Sequence, residues 1–186
     1  MNVYDWDKTI YHGDCTVDFY FWNLRRNPSL IRYMPLQAIG FIGYFLKIHD
    51  KTRMKKYFYS YLRGVEDIDR KLEEFWDGHI GNVHQWYLDN QKEDDVVISA
   101  SAAFMVAGGC RRLGIKNLIA SEVDRFTGEP LSPNCNGAQK PVRFLEAGYT
   151  LPIEEFYSDS YGDDPMAKLA KKSYLVKGET LIPWEK

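Results

Sequence analysis

Three cysteines are all this chain has, Cys15, Cys110 and Cys135, with no Cys-x-x-Cys pair among them. An odd count at such spacings argues against a disulfide framework or a cysteine-built zinc site, and a reducing cytosol is the expected compartment. An excess of one charge is missing too. Twenty-four Lys and Arg stand against 26 Asp and Glu, for a net charge of −2, so nothing demands nucleic acid as a partner. No apolar run reaches the roughly 20 residues of a spanning helix; the longest, Tyr33 to Leu46, is interrupted by Pro35, Gln37 and Gly43. Asp5 and Asp7 come almost at once, where a secretory leader would carry apolar residues. Repeats and low-complexity tracts are absent.

What is present suits a soluble globular domain: 186 residues, 45% hydrophobic and 27% charged, enough for one domain or a core with a small insertion. Aromatic residues make up 15% and gather before residue 90. From Thr16 to about Asn90 the pattern is helical with no strand signal, punctuated at Asn27-Pro28-Ser29, Pro35, Gly64 and Gly78. Strand and helix then alternate. Val96-Val97-Ile98, Lys116 to Ala120, Ile153 to Tyr157 and Ser173 to Val176 read as strands. Ala102 to Leu113, Pro141 to Ala147 and Pro165 to Ala170 read as helices. The expected fold is α/β, a three-layer Rossmann-like core with a parallel sheet, from residues 1–14 and 91–186, with an all-helical insertion over 15–90.

The chemistry begins at Val3-Tyr4-Asp5-Trp6-Asp7. In extended chain, residues two apart point the same way, so Asp5 and Asp7 project together past the end of the first strand. Two such acids repel unless a cation or a shared proton intervenes, and oxygen ligands suit Mg2+. Sites in open α/β sheets lie beyond the carboxyl ends of the strands. There the other strands offer Ser99 and Ser101, then Asp159, Asp163 and Asp164, while Lys140 opens a helix after a glycine-bearing loop. A cation in a first turn opposes the helix dipole, which points to a functional reason for Lys140. Carboxylates for a metal, with a hydroxyl and an ammonium for phosphoryl oxygens, fit phosphoryl transfer.

In this order the residues resemble the four motifs of haloacid dehalogenase (HAD) superfamily phosphatases, in the phosphoserine-phosphatase-like branch. Asp5-Trp6-Asp7-Lys8-Thr9 matches Asp-x-Asp-x-Thr, and Val96-Val97-Ile98-Ser99 the strand ending in Ser or Thr. Asn134 to Lys140 matches the lysine motif and Tyr157 to Pro165 the acidic motif. The helical stretch falls where that branch inserts its cap. The resemblance implies Asp5 as nucleophile and Asp7 as general acid and base. It implies Mg2+ on Asp5, the main-chain carbonyl of Asp7, and Asp159, with Asp163 in support, and Ser99 and Lys140 on the phosphoryl group. Asp163 is chosen over Asp164 by its spacing from Asp159. Gly162 stands where the branch often has Asn, and Ala100 where it often has Gly.

For substrate contacts the candidates are His12, Asp14 and, among the cationic residues of the insertion (Arg53, Lys55, Lys56 and Arg63), Arg53. The expected activity is Mg2+-dependent hydrolysis of a small soluble phosphate ester. The alternatives are a lipid phosphate at a membrane surface, should Tyr33 to Leu46 be exposed, or a silent relative that binds phosphorylated ligands. Phosphotransfer to an acceptor other than water is not separated from hydrolysis.

Overall fold

A computed structural model describes residues 1–185. One sheet of six strands organises it, in the order β3-β2-β1-β4-β5-β6. β1 (Val3–Tyr4) is central and pairs in parallel with β2 (Val96–Ala102) and β4 (Ile153–Ser158). β3 (Asn117–Ser121) continues the parallel arrangement on one side and β5 (Ala170–Lys177) on the other. β6 (Thr180–Pro183) returns antiparallel on β5 after a turn in which Gly178 has φ +61°. That last strand lies beyond the one expected to close the sheet; its residues are mostly exposed, so no apolar alternation announces it.

Between β1 and β2 the chain is helical: α1 (Cys15–Arg26), α2 (Met34–Phe45), α3 (Lys51–Phe58), α4 (Ile68–His79) and α5 (Gln85–Asn90), with short 3-10 turns. Asp14 caps α1 by accepting the N–H of Val17, and Asp50 caps α3 through that of Arg53. The break expected at Gly78 falls two residues later, over residues 80–84, between α4 and α5. α4 runs to His79, because Ile68, Leu72, Phe75 and Trp76 form a buried stripe that outweighs about 1 kcal/mol of glycine penalty. After β2 come α6 (Ala103–Arg112), α7 (Gln139–Glu146) and α8 (Asp164–Ala167).

Period-two alternation builds three layers. Tyr4 and Val97 face α1, α4, α5 and α6, in one cluster with Phe19, Phe75, Trp76, Tyr87 and Met105. Val3, Val96, Ile98 and Phe156 face α7 and α8, against Phe144 and Met166. The aromatic residues of the insertion therefore pack against the sheet as well as against one another. Close approach needs the pair Gly108-Gly109 in α6: a Cβ on Gly109 would lie 2.5 Å from Trp6 Cζ2, and one on Gly108 2.3 Å from Trp76 Cδ1.

α2 is turned the other way. Its buried residues are Gln37, Gly40 and Gly43, which face the protein. Tyr20 donates to Gln37 Oε1 at 3.0 Å and Gln37 Nε2 donates to the carbonyl of Phe58 at 3.0 Å. Ile39, Ile42, Phe45 and Leu46 are more than half exposed, Phe45 to 81%. No helix among the described residues is long and apolar enough to cross a membrane.

Candidate active site

The site forms where the central strands end. The N–H of Asp5 donates to the carbonyl of Tyr157 at 2.8 Å, carrying the β1–β4 ladder one residue further. The chain then turns: the N–H groups of Ile10 and Tyr11 both reach the carbonyl of Trp6, and Lys8 adopts φ +57°. Trp6 points into the core, fully buried, while Asp5 and Asp7 line a cavity of about 300 Å3 on the other side. The i, i+2 expectation holds.

Asp14, Lys140, Asp159 and Asp163 line the same cavity. Lys140 is 1% exposed, and its Nζ lies 3.0 Å from Asp5 Oδ1 and 2.6 Å from Asp163 Oδ2. Asp163 Oδ2 also accepts the hydroxyl of Ser158 at 2.8 Å. Asp164 pairs instead with Lys168 and is absent from the cavity wall, so of the two adjacent acids it is Asp163 that reaches the site. Asp14 both caps α1 and faces the cavity.

Burial and crowding of like charge set the electrostatics. Burial pushes Asp5 up to about 7, with Lys140 opposing and Asp163 and Asp7 reinforcing. Burial and the neighbouring Asp14 push Asp7 up to about 6, although it accepts the Ser101 hydroxyl at 2.5 Å and the N–H of Cys15 at 2.7 Å. Asp159 is raised by burial against the pull of Lys8 and Lys140. Lys140 is raised: its burial is outweighed by Asp5 and Asp163. Five acids share the cavity wall with four lysines, Lys8, Lys51, Lys55 and Lys140; around the buried Lys140 the carboxylates of Asp5, Asp159 and Asp163 supply a set of oxygen donors. That donor set fits a hard divalent cation.

Ser99, expected on the phosphoryl group, does not line the cavity, and Ser101 does. Ser99 is fully buried, is not part of the cavity wall, and accepts the N–H of Ser101 at 3.0 Å. Ser101 stands on the wall, touches Asp7, and in turn accepts from Thr16 Oγ1 at 3.0 Å. The strand runs on past Ile98 to Ala102, with a register shift between Ser99 and Ala102. The Ser-Ala-Ser spacing hinted at Ser101; the shift that presents it is tertiary.

The cationic residue expected from the insertion is corrected. Lys51 and Lys55 of α3 line the cavity, and Arg53 does not. Residues four apart share a helix face, whereas Arg53, two positions on, lies some 200° around it. Lys55 Nζ donates to the carbonyl of Ala100 at 2.6 Å, and burial, with Lys51 nearby, lowers it to about 8. Lys56 and Arg63 pair with Glu129, away from the cavity. His12 is also off the wall; its ring lies against that of His84, tilted by 34° with centroids 3.6 Å apart.

A second cleft of about 210 Å3 adjoins the first. It shares Asp14, Lys51, Lys55 and Ser101 with the first cavity and adds an apolar wall of Val17, Phe41, Met54 and Phe58. Phe41 belongs to the apolar run Tyr33 to Leu46, but nothing in the sequence pattern brought these four residues together, because they come from three helices.

No protein with a curated description matches the chain. Among solved structures it is similar to a protein of unknown function from Bordetella pertussis Tohama I, at 20% identity and TM-score 0.75, covering 94% of this chain and 88% of that one. It is also similar to a phosphoserine phosphohydrolase-like protein from Francisella tularensis, at 15% identity and TM-score 0.53, covering 94% and 87%. A phosphoserine phosphatase solved as a phospho-aspartyl intermediate analogue matches at 16% identity and TM-score 0.50, covering 93% and 84%. At such identities these likenesses speak for the fold. The family model of haloacid dehalogenase-like hydrolases matches residues 3–168, and with Asp5, Asp7, Lys140, Asp159 and Asp163 gathered at one cavity, the chain belongs to that family.

Proposed function

We propose that this protein is a phosphatase that hydrolyses a phosphate monoester through an aspartyl-phosphate on Asp5. The observation that carries the reading is the convergence of Asp5, Asp7, Lys140 and Asp159 on one cavity at the ends of β1 and β4 and the start of α7. An Asp5 carboxylate oxygen attacks phosphorus and the ester P–O bond breaks. Asp7, which burial holds partly protonated near neutral pH, gives its proton to the leaving oxygen. Asp7 then takes a proton from water as that water attacks the aspartyl-phosphate, which releases phosphate and restores both acids. Lys140 offsets charge at Asp5 and reaches the phosphoryl oxygens, with Ser99 beneath the floor and Ser101 orienting Asp7. Asp5, Asp159 and the main-chain carbonyl of Asp7 would hold Mg2+, supported by Asp163; when bound, the cation supplies positive charge against the crowded acids and the phosphoryl oxygens. The helical insertion, residues 15–90, covers the leaving group as a cap and keeps bulk water from the intermediate.

A second reading concerns the substrate. A small soluble ester is the simplest occupant of the cavity. The outward apolar face of α2 and the apolar cleft beside the catalytic cavity favour a lipid phosphate taken from a membrane surface. Phe41 of α2 lines that cleft, so the exposed helix and the leaving-group side of the site are continuous.

The test is phosphate release with Mg2+ from an aryl phosphate, phosphoserine, sugar phosphates, nucleotides and a vesicle-embedded lipid phosphate, run beside Asp5→Asn. Release by the wild type, at least about a thousandfold above a folded Asp5→Asn protein, supports the reaction and the nucleophile. Comparable rates in the two would sink the assignment of Asp5. No release from any substrate would move the reading to a silent phosphate-binding relative, and release confined to vesicles would select the lipid reading.

A further inference from the structure

We propose a second metal site, formed by His12, His84 and Glu179 and taking Zn2+ or another imidazole-binding divalent cation. It is independent of the reaction described above: none of the three residues lines the catalytic cavity.

The two histidines sit on the two connections of the helical insertion, His12 where the chain leaves the sheet and His84 where it returns. These connections are paired. The N–H of His12 donates to the carbonyl of Asn82 at 2.9 Å and that of His84 to the carbonyl of Ile10 at 2.9 Å, flanking an antiparallel bridge between Tyr11 and Val83. Both imidazoles therefore stand on fixed backbone. Glu179 comes from a distant part of the sequence, the β5–β6 turn, and its Oε2 accepts the N–H of Trp86 at 3.3 Å. Oε1 lies 2.7 Å from His84 Nδ1 and 3.5 Å from His12 Nε2.

One ligand atom from each residue can be chosen so that all three lie within 4.8 Å of one another. Tetrahedral zinc, with bonds of about 2.0–2.1 Å, separates its ligand atoms by roughly 3.3 Å. The His12–Glu179 spacing is already close to that value, and the His84–Glu179 hydrogen bond has to open by roughly 0.6 Å. Two neutral imidazoles and one carboxylate make a set that prefers zinc-like ions to Mg2+. His84 is 2% exposed and pre-placed, while His12 and Glu179, about half exposed, leave an entry path and room for a water as fourth ligand. A bound ion would tie both connections of the insertion to the β5–β6 turn of the sheet.

The experiment uses the full chain stripped by chelator. Zn2+ is titrated by calorimetry, and Co2+ by its visible ligand-field bands, into wild type, His12→Ala, Glu179→Gln and Asp159→Asn. The first two substitutions are at exposed side chains, so the fold is retained. The expected result is a tetrahedral Co2+ spectrum that saturates at one equivalent in wild type and in Asp159→Asn alike, with a matching Zn2+ binding event separate from any uptake by the carboxylate cavity. Affinity falls at least about tenfold in both His12→Ala and Glu179→Gln, and the spectrum is lost. No binding by wild type, binding unchanged by either of those two substitutions, or binding abolished by Asp159→Asn would each overturn the proposal.

Discussion

The Nζ of Lys140 lies 3.0 Å from Oδ1 of Asp5, and the lysine is 1% exposed. Its second partner, Asp163, is 2.6 Å away and also buried, with 8% of its side chain exposed. Removing the ammonium leaves two carboxylates buried without their cation, which costs about 3–5 kcal/mol for such a pair. Lys140→Met is expected to lose stability of that order in chelator-treated protein, read by urea denaturation, and turnover with it. A loss below about 1 kcal/mol would place Lys140 among the surface ion pairs, where the geometry says it is not.

Ser101 Oγ donates to Asp7 Oδ2 at 2.5 Å, and Ser99 supports it from below by accepting its N–H. A hydrogen bond to a charged group contributes about 1.5–3 kcal/mol. Ser101→Ala should therefore lower kcat about tenfold or more, with little change in KM, because the proton donor and acceptor is no longer held. Unchanged kcat in steady-state kinetics would remove Ser101 from the site's working parts.

Lys55 carries the pH dependence that is simplest to isolate. Burial, reinforced by Lys51, lowers it to about 8, so it is charged below that pH and neutral above. If it attracts the anionic substrate, KM rises as pH passes through 8. Lys55→Met should show a raised KM already at pH 7, roughly tenfold, and no inflection near 8. An inflection that persists in the variant would assign it to another group.

The outward face of α2 makes a prediction independent of the chemistry. With Ile42 57% and Phe45 81% exposed, wild type should co-sediment with anionic phospholipid vesicles, and Ile42→Ser with Phe45→Ser should abolish this while leaving aryl phosphate hydrolysis intact. Equal sedimentation of the two proteins would leave the apolar face without a membrane role.

Local spacing was enough for a good part of this protein. Two acids at i and i+2 after an apolar pair must share a side in extended chain, and Trp6 between them must point the other way. Alternating strand and helix patterns required a parallel sheet, and a helical stretch without strand signal had to be an insertion. Tertiary structure decided what depends on residues far apart in sequence. Lys140 meets Asp163 only because α7 and the end of β4 converge. Ser101 reaches the wall because β2 shifts register after Ser99. Lys51 and Lys55, rather than Arg53, face the site because α3 docks by one face, a rotation that the sequence of a mostly polar helix leaves open. The outward turn of α2 was likewise hidden. On pattern alone the apolar run Tyr33 to Leu46 could be packed or exposed, and only the packing of Gln37, Gly40 and Gly43 against their neighbours sends its large side chains to the surface.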